Sequence, residues 1–263
     1  MNIRELIRAI GAYAIYFIDE MGQMVYLTVR INLWMFRKPF DGKLIFQQMV
    51  RVGVESIPVA MTTAFFTGMV VALQSGYTLE TKMKGISQFL GAVVSLSLVR
   101  ELGPVLTAMV IAGRMGSAVA AEIGTMQVTE QIDALSTLAA NPVKYLAVPR
   151  FLAFTFMMPL LTIFADMTGW LGGLMVCSLK FTPSTVYIDS TRATLVTGDI
   201  MGGLIKALIF GAIIAVVSCR QGFSTTNGAE GVGLSTTHAV VYSFMSILVS
   251  DYFLTAILTT LNI

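Results

Sequence analysis

One uncharged stretch of the chain decides its fold class: residues 56–79 have the sequence SIPVAMTTAFFTGMVVALQSGYTL. A helix of about 20 mostly apolar residues is long enough to cross the hydrocarbon core of a bilayer. The stretch therefore predicts a membrane-spanning helix, which we place at residues 57–74.

The composition of the whole chain agrees with a membrane protein. Hydrophobic residues make up 56% of the 263 residues and charged residues only 12%, whereas soluble proteins carry roughly 25% charged residues. The net charge of +2 is small and its basic residues are scattered, which excludes a nucleic-acid-binding surface. The two cysteines, Cys177 and Cys219, have no CxxC spacing, so they predict neither a metal site nor a disulfide framework.

Four further apolar stretches predict four more spans, at about residues 88–112, 151–177, 200–219 and 236–258. Five spans place the two termini on opposite sides of the membrane, and residues 180–199 are expected to form the main outer loop, between the third and fourth spans. Lys and Arg concentrate on cytoplasmic flanks, and eleven basic residues flank one side against four on the other. The larger group contains Arg4, Arg8, Arg30, Arg37, Lys38, Lys43, Arg51, Arg114, Lys144, Arg150 and Arg220; the smaller contains Lys82, Lys84, Lys180 and Arg192. The N-terminus is therefore expected in the cytoplasm and the C-terminus outside.

The first 36 residues predict an amphipathic helix that lies in the cytoplasmic interface. Their apolar residues recur at helical spacing, from Ile3, Leu6, Ile7 and Ile10 to Tyr13, Phe17, Met21 and Met24. A sixth, partial span is the open alternative. Residues 37–42 break the helix, so we divide the chain into an N-terminal interfacial (elbow) helix and linker at 1–50 and a transmembrane domain at 51–263.

Five ionisable residues fall inside the predicted spans, in their outer halves. Such groups usually face a bundle interior or a cavity. Arg100 and Glu101 are adjacent and point about 100° apart on a helix, so each needs a partner elsewhere. Pro104 follows them and should kink the helix. The other three are Asp166, Lys206 and Asp251, of which Lys206 and Asp251 are expected to pair; a purely structural ion-pair network remains the alternative for this group.

Motifs for nucleotide binding and catalysis are missing from the sequence. It contains no GxxxxGK[ST], no GxSxG and no HExxH, and its single histidine is His238. We therefore expect no enzyme, no cofactor and no nucleotide site in this chain.

Two features suggest contacts between helices and with a partner. Ala108, Ala112, Gly116, Ala120 and Gly124 recur every four residues, which allows close helix approach, within the chain or between subunits. Residues 128–135 predict a short amphipathic helix on the cytoplasmic side, either a docking element or an ordinary loop helix.

Several motifs resemble the MlaE (YrbE) family of permease subunits from lipid-trafficking ABC transporters. They are LVRELGPVL at 98–106, AGRMGS at 112–117, AEIG at 121–124 and TEQIDAL at 129–135. Further positions also resemble the family: Asn141-Pro142, Pro149-Arg150, Gly169 to Gly173, Lys206 and Ser250-Asp251. The resemblance covers the chain from about Arg51 to its C-terminus.

The resemblance implies a function and a set of partners. It implies a phospholipid transporter of the bacterial inner membrane that maintains outer-membrane asymmetry, in which a separate cytoplasmic ATPase binds ATP. The expected partners are a second copy of the permease, two ATPase subunits, a periplasmic MCE-domain protein and often a STAS-domain protein. It also implies lipid-binding residues, which are Arg100, Glu101, Leu73 and Tyr77. The residues that it implies for the ATPase-coupling helix are Thr129, Glu130, Gln131 and Asp133.

Two other functions are compatible with charges inside a membrane. An ion-coupled carrier or channel could use them as a proton relay, and an intramembrane lipid enzyme could use them on a substrate.

Overall fold

The computed structural model describes residues 3–37, 41–82 and 87–261, and its regular structure within these ranges is entirely helical. Two of the basic residues that set the expected orientation, Lys38 and Lys84, lie outside the described residues. So do the side chains of the first part of the predicted N-terminal apolar face, from Ile3 to Phe17.

The chain folds into eleven α-helices within the described ranges. They are α1 (Ile3–Met35), α2 (Gly42–Val52), α3 (Ile57–Lys82), α4 (Leu90–Ser97), α5 (Gly103–Ile111), α6 (Ser117–Val128), α7 (Gln131–Thr137), α8 (Val148–Lys180), α9 (Ser184–Thr194), α10 (Thr197–Phe223) and α11 (Gly228–Thr260). Short 3₁₀ segments precede α3 and α4, at Val54–Ser56 and Ser87–Phe89. Three π-helical segments join α4 to α5, join α5 to α6 and precede α8, at Leu98–Leu102, Ala112–Gly116 and Val143–Ala147.

The five predicted spans are confirmed, and each is longer than its apolar stretch. Helical segments of membrane-spanning length and composition cover Gly42–Glu80, Leu90–Val128, Val143–Lys180, Thr197–Phe223 and Gly228–Thr260. The second span differs most from the prediction, because its helix continues past Ala112 to Val128. Hydropathy locates only the part of a helix that lies in hydrocarbon, so polar extensions at either end are missed. We call the end of the bundle that carries α7 the α7 end, and the opposite end the α9 end.

The core of the bundle forms where α8 and α10 meet the second span. Phe154, Phe210 and Ile214 are fully buried there. The row of small residues on the second span packs within the chain: a Cβ on Gly116 would press on Ser218, and one on Gly124 would press on Thr225, both on or just after α10. In this structure the small residues therefore serve close intrachain packing.

The closest approach of α3 and α8 depends on glycine. A Cβ added to Gly68 would overlap the backbone oxygen of Gly169, and one added to Gly172 would overlap the backbone oxygen of Phe65. The two backbones are in contact, so neither position has room for a methyl group.

We expect Gly68→Ala to lower the free energy of unfolding by about 1–3 kcal/mol, because the two helices must move apart to fit the methyl group. Thermal unfolding of the detergent-purified protein measures the loss. Gly233→Ala is the matched control, since nothing lies within 4 Å of a Cβ at that position. Equal stability of the two variants would contradict the close approach.

The N-terminal helix α1 contacts the bundle through its second half. Leu27 and Ile31 are buried, and Glu20 forms an ion pair with Arg220 at 3.0 Å and accepts a hydrogen bond from Gln221 at 2.8 Å. α1 is a single helix, as predicted, and it is not among the five segments of membrane-spanning character found in the described residues. Its position in the interface stays a prediction. The expected boundary at 50/51 falls inside α2.

The connection between the third and fourth spans contains a helix where we expected a loop. Within residues 180–199, α9 packs against α4 and α8: Tyr187 is 1% exposed and Ser190 Oγ accepts a hydrogen bond from the backbone N–H of Ala92 at 2.9 Å. Burial, and to a smaller extent Cys177, raises the pKa of Tyr187 well above its usual value. A short helix of nearly neutral hydropathy gives no span signal, which is why the prediction missed it.

Candidate functional site

The centre of the candidate site is the ammonium group of Lys206 on α10, whose side chain is 3% exposed. Its Nζ lies 2.7 Å from Glu101 Oε2 and 3.0 Å from Asp251 Oδ1, and donates a 2.7 Å hydrogen bond to Thr255 Oγ1. The Asp251 contact is an ion pair that is not aligned as a hydrogen bond. Thr255 Oγ1 in turn donates to Glu101 Oε1 at 3.2 Å. The expected pair of Lys206 and Asp251 is therefore present within a larger cluster that links three spans.

Pro104 explains a fourth contact of Lys206. A proline has no N–H to give to the carbonyl four residues earlier, which here belongs to Arg100. Lys206 Nζ donates a 3.0 Å hydrogen bond to that carbonyl oxygen. Directly before Gly103 the helix widens into the π-helical segment Leu98–Leu102, a distortion that is frequent at functional sites. Lysine thus satisfies the backbone group that the proline leaves without a partner.

Arg100 points away from Glu101 and pairs with Asp199 on α10. Its Nε donates a 2.6 Å hydrogen bond to Asp199 Oδ1, and its Nη2 forms an ion pair with the same oxygen. The Asp199 side chain is 3% exposed, whereas that of Arg100 is 57% exposed. The prediction that Arg100 and Glu101 need separate partners is confirmed, and the Arg100 cation is the accessible member of its pair.

Two residues of the site were not predicted from the sequence: Asp199, the partner of Arg100, and Thr255, a partner of Lys206. The apolar pattern places Asp199 at the end of the expected outer loop, but in the structure it lies in the first turn of α10, where its Oδ2 accepts a hydrogen bond from the backbone N–H of Val196 at 2.9 Å. An Asp at the third position of a helix is a recognisable capping signal. Its second role, pairing with Arg100, depends on how the helices pack and leaves no mark in the local sequence.

Asp166 lies apart from the Lys206 cluster. Its Oδ1 is buried without a hydrogen-bond partner in the described part of the protein. A Cβ on Gly103 would overlap that same oxygen, so the carboxyl group packs against the start of α5. The expectation that Asp166 shares one charge network with Lys206 and Asp251 is not met by the contacts in this structure. From the helical rise per residue, Asp166 lies about 21 Å from the α9 end of its helix, whereas Lys206 and Asp251 each lie about 14 Å from the α9 ends of theirs.

Leu73 and Tyr77, the other two expected lipid-binding residues, lie on α3 in a different environment. Leu73 packs against the apolar cluster around Leu90 and Tyr187. Tyr77 is 52% exposed and meets the ring of Phe181 edge-on at 5.4 Å. Their contacts are with this apolar cluster and α8, outside the charged cluster.

The expected coupling residues form an exposed turn and helix at the α7 end. Thr129 caps α6, Glu130 adopts a left-handed conformation with φ of 59°, and Gln131 begins α7. All three are exposed, as is Asp133, while Ile132 is 6% exposed and anchors the helix in the core. The helix begins at Gln131, so Thr129 and Glu130 precede it, in contrast to the predicted helix at 128–135.

A second polar cluster, which the sequence analysis did not single out, ties three helices together near the α7 end. Glu122 on α6 forms ion pairs with Arg51 on α2 at 2.8 Å and with Arg150 on α8 at 3.1 Å. The Arg150 side chain is 4% exposed. Glu122 lies in the AEIG motif, but the sequence alone gives no means of pairing it with two arginines on other helices.

The five membrane-length helices, with buried ion pairs between them, define a multi-pass membrane protein. Comparison with known proteins gives the family. A model of the family described as Permease MlaE matches residues 45–257. The chain belongs to this family and is an ABC transporter permease.

Named relatives agree with this assignment. The chain is 42% identical to a probable ABC transporter permease protein of Rickettsia typhi, over 98% of both chains. It is 45% identical to a probable ABC transporter permease protein of Synechocystis, over 87% of both. It is also 42% identical to Protein TRIGALACTOSYLDIACYLGLYCEROL 1, chloroplastic, of Arabidopsis thaliana, over 80% of this chain and 60% of the plant protein.

Proposed function

We propose that this permease moves phospholipids between the inner and outer membranes, energised by a separate ATPase subunit. The observation that carries the proposal is the Arg100–Asp199 pair, in which a buried carboxylate holds an accessible guanidinium group inside a membrane span. By helix length, Arg100 lies about 15 Å from the α9 end of its span. A cation at that depth is costly unless it has a functional or structural partner.

The chemistry of a guanidinium group fits a lipid phosphate. Arginine carries five N–H donors in a planar fork that matches phosphate oxygens. Within the described residues, the side-chain bonds of Arg100 are made by Nε and Nη2 to Asp199, and Nη1 remains for a ligand. Exposed apolar side chains on and beside the same end of α10, Val196, Ile200 and Met201, offer a surface for acyl chains. Glu101 would act indirectly, through its bond to Lys206.

One relative supports a lipid cargo. The plant relative is named after a glycosylated diacylglycerol, which is a lipid and not an ion. We therefore favour phospholipid transport over an ion-coupled carrier or channel, and over an intramembrane lipid enzyme.

The proposed assembly contains two copies of this chain, a cytoplasmic ABC ATPase, a periplasmic MCE-domain protein and, in some systems, a STAS-domain protein. An ABC transporter permease requires an ATPase partner. The exposed carboxylates at Glu130 and Asp133 make the turn before α7 and the helix itself our candidate for the ATPase-docking surface. Docking of a cytoplasmic ATPase at this surface puts the α7 end and the N-terminus in the cytoplasm and the C-terminus in the periplasm. The protein then lies in a bacterial inner membrane.

We expect the double variant Glu130→Lys/Asp133→Lys to lose ATPase association and lipid transport while the bundle stays folded. Charge reversal at a complementary contact costs several kcal/mol, and both side chains are exposed, so folding does not depend on them. Copurification of the ATPase and the melting temperature of the permease measure the two effects. Asp19→Lys, which reverses an exposed carboxylate on α1, is the control. Normal ATPase binding by the double variant would rule out this docking surface.

The proposed function as a whole is tested by purifying the chain from its native membrane and identifying bound subunits and lipids by mass spectrometry. We expect an ABC ATPase and bound phospholipid, with less phospholipid on an Arg100→Lys variant. Purification of the chain with neither an ATPase nor phospholipid would overturn the proposal.

A further inference from the structure

A second site lies at the α7 end, far from Arg100, where α1 ends, α2 begins and the π-helical segment Val143–Ala147 starts. A cavity of about 340 Å³ opens between these three elements. Its walls combine apolar and basic side chains, including Trp34, Arg37, Leu44, Ile45, Lys144 and Tyr145. None of these residues belongs to the charged cluster around Lys206 or to the α7 docking surface.

The two cations of the cavity converge on one aromatic ring. Arg37 Cζ lies 4.9 Å from the centroid of the Trp34 ring and Lys144 Nζ lies 6.0 Å from it. Neither cation forms an ion pair with any carboxylate in the described residues. The cavity also contains one carboxylate, Asp41, which is exposed. Two cations against one carboxylate leave the cavity with a net positive charge, so it is complementary to an anion.

The backbone that carries Lys144 is fixed before any ligand binds. Asn141 Oδ1 accepts hydrogen bonds from the backbone N–H groups of Val143 at 3.0 Å and of Lys144 at 3.4 Å. Trp34, which also lines the cavity, packs against the main apolar core. The basic and aromatic walls are therefore preformed, which lowers the entropy that a ligand must lose on binding.

The apolar walls distinguish a lipid from a small soluble anion. Leu44 and Ile45 on α2 and Val148 on α8 line the same cavity as the two cations. An aromatic residue beside basic residues at the end of a spanning helix is typical of the headgroup level of a bilayer. A ligand that matches all the walls has an anionic headgroup joined to a hydrocarbon chain.

We propose that this cavity binds an anionic glycerophospholipid from the leaflet on the α7 side, with its phosphate at Arg37 and Lys144 and its acyl chain along Leu44 and Ile45. The bound lipid holds the end of α1 to the start of the third span. This lipid is a resident of the protein and not its cargo, so the inference stands whether or not the permease transports phospholipid.

Trp34 offers a direct readout, because brominated acyl chains quench a nearby tryptophan. The chain has two tryptophans, Trp34 and Trp170, so a Trp170→Phe background leaves Trp34 as the only reporter. In phosphatidylcholine vesicles we expect brominated phosphatidylglycerol to reach half-maximal quenching at a mole fraction about 30-fold lower than brominated phosphatidylcholine, since each of the two basic residues adds about 1 kcal/mol to anionic lipid binding.

Two charge-matched variants locate the site. Arg37→Gln/Lys144→Gln should abolish the preference for phosphatidylglycerol, whereas Arg30→Gln/Lys43→Gln removes two basic residues from outside the cavity walls and should preserve it. Equal quenching by the two lipids in the unmodified cavity, or equal loss of preference in both variants, would overturn the proposal.

Addition of millimolar glycerol 1-phosphate should leave the quenching unchanged. Displacement of the lipid by this soluble phosphate would show a phosphate site without a lipid chain and would also contradict the proposal.

Discussion

Lys206→Met is expected to lower the free energy of unfolding by about 3–5 kcal/mol, because removing one member of a buried ion pair leaves an uncompensated charge. Here the loss affects two carboxylates, since Lys206 lies 2.7 Å from Glu101 and 3.0 Å from Asp251. It also leaves the carbonyl of Arg100 without a donor, because Pro104 cannot supply one. Thermal unfolding of the detergent-purified permease measures the effect.

The partners of Lys206 provide the control for this prediction. Asp251→Leu removes one stranded carboxylate, so the double variant Lys206→Met/Asp251→Leu should lose less stability than the sum of the two single variants. Residues in direct contact give coupling energies of about 0.5–3 kcal/mol in such cycles. Strictly additive losses would mean that Lys206 and Asp251 do not interact, in conflict with the structure.

Replacing Arg100 is expected to weaken phospholipid binding by about 10–100-fold, since hydrogen bonds to a charged group are worth about 1.5–3 kcal/mol. Arg100→Gln alone would strand the buried carboxylate of Asp199 and lower stability as well. The double variant Arg100→Gln/Asp199→Asn removes both charges together and keeps the fold, so its loss of lipid binding reports on the ligand contact. Phospholipid retained after purification and ATP-dependent lipid transfer are the two measurements.

Arg100→Lys separates charge from shape at the same position. Lysine keeps the positive charge but lacks the planar guanidinium group, which binds Asp199 through Nε and Nη2 and leaves Nη1 for a phosphate oxygen. We expect an intermediate loss of lipid binding, with ATPase association unchanged. Full lipid binding and transport in both the lysine and the double variant would mean that the pair of Arg100 and Asp199 serves only helix packing.

The sequence predicts the spans well because the bilayer imposes a length and a hydropathy that can be counted. The stretch at residues 56–79 alone is long enough to identify a membrane helix, and five such segments are present in the structure. Depth along a helix is similarly accessible. Since the rise is about 1.5 Å per residue, Lys206 and Asp251 were expected at similar depths, and they are in contact.

The partners of individual charges could not be predicted because they depend on helix rotation and neighbour order. Asp199 looked like the end of a loop, and Thr255 is one of many threonines in an apolar helix, yet both complete the site. Asp166 is the opposite case, a residue that was expected to join the charged network and does not. It shares the membrane with Lys206, but its carboxyl group packs against Gly103 and its Oδ1 has no hydrogen-bond partner in the described residues.

The helix at the α9 end was missed for a related reason. α9 carries no apolar run, and Tyr187 becomes a core residue only because α4 and α8 present a surface to it. Short amphipathic helices that pack on a bundle obtain their stability from tertiary contacts rather than from propensity.

We propose that this chain transports phospholipid only together with an ATPase. Its most direct test is the movement of a fluorescent phospholipid in proteoliposomes that contain the permease with or without its copurified ATPase. We predict lipid movement that requires both the ATPase and hydrolysable ATP, with no ion flux and no chemical change of the lipid in vesicles that contain the permease alone. Ion flux driven by a gradient through the permease alone, or conversion of the lipid without ATP, would show that the protein is a carrier or an enzyme and not an ATP-driven lipid transporter.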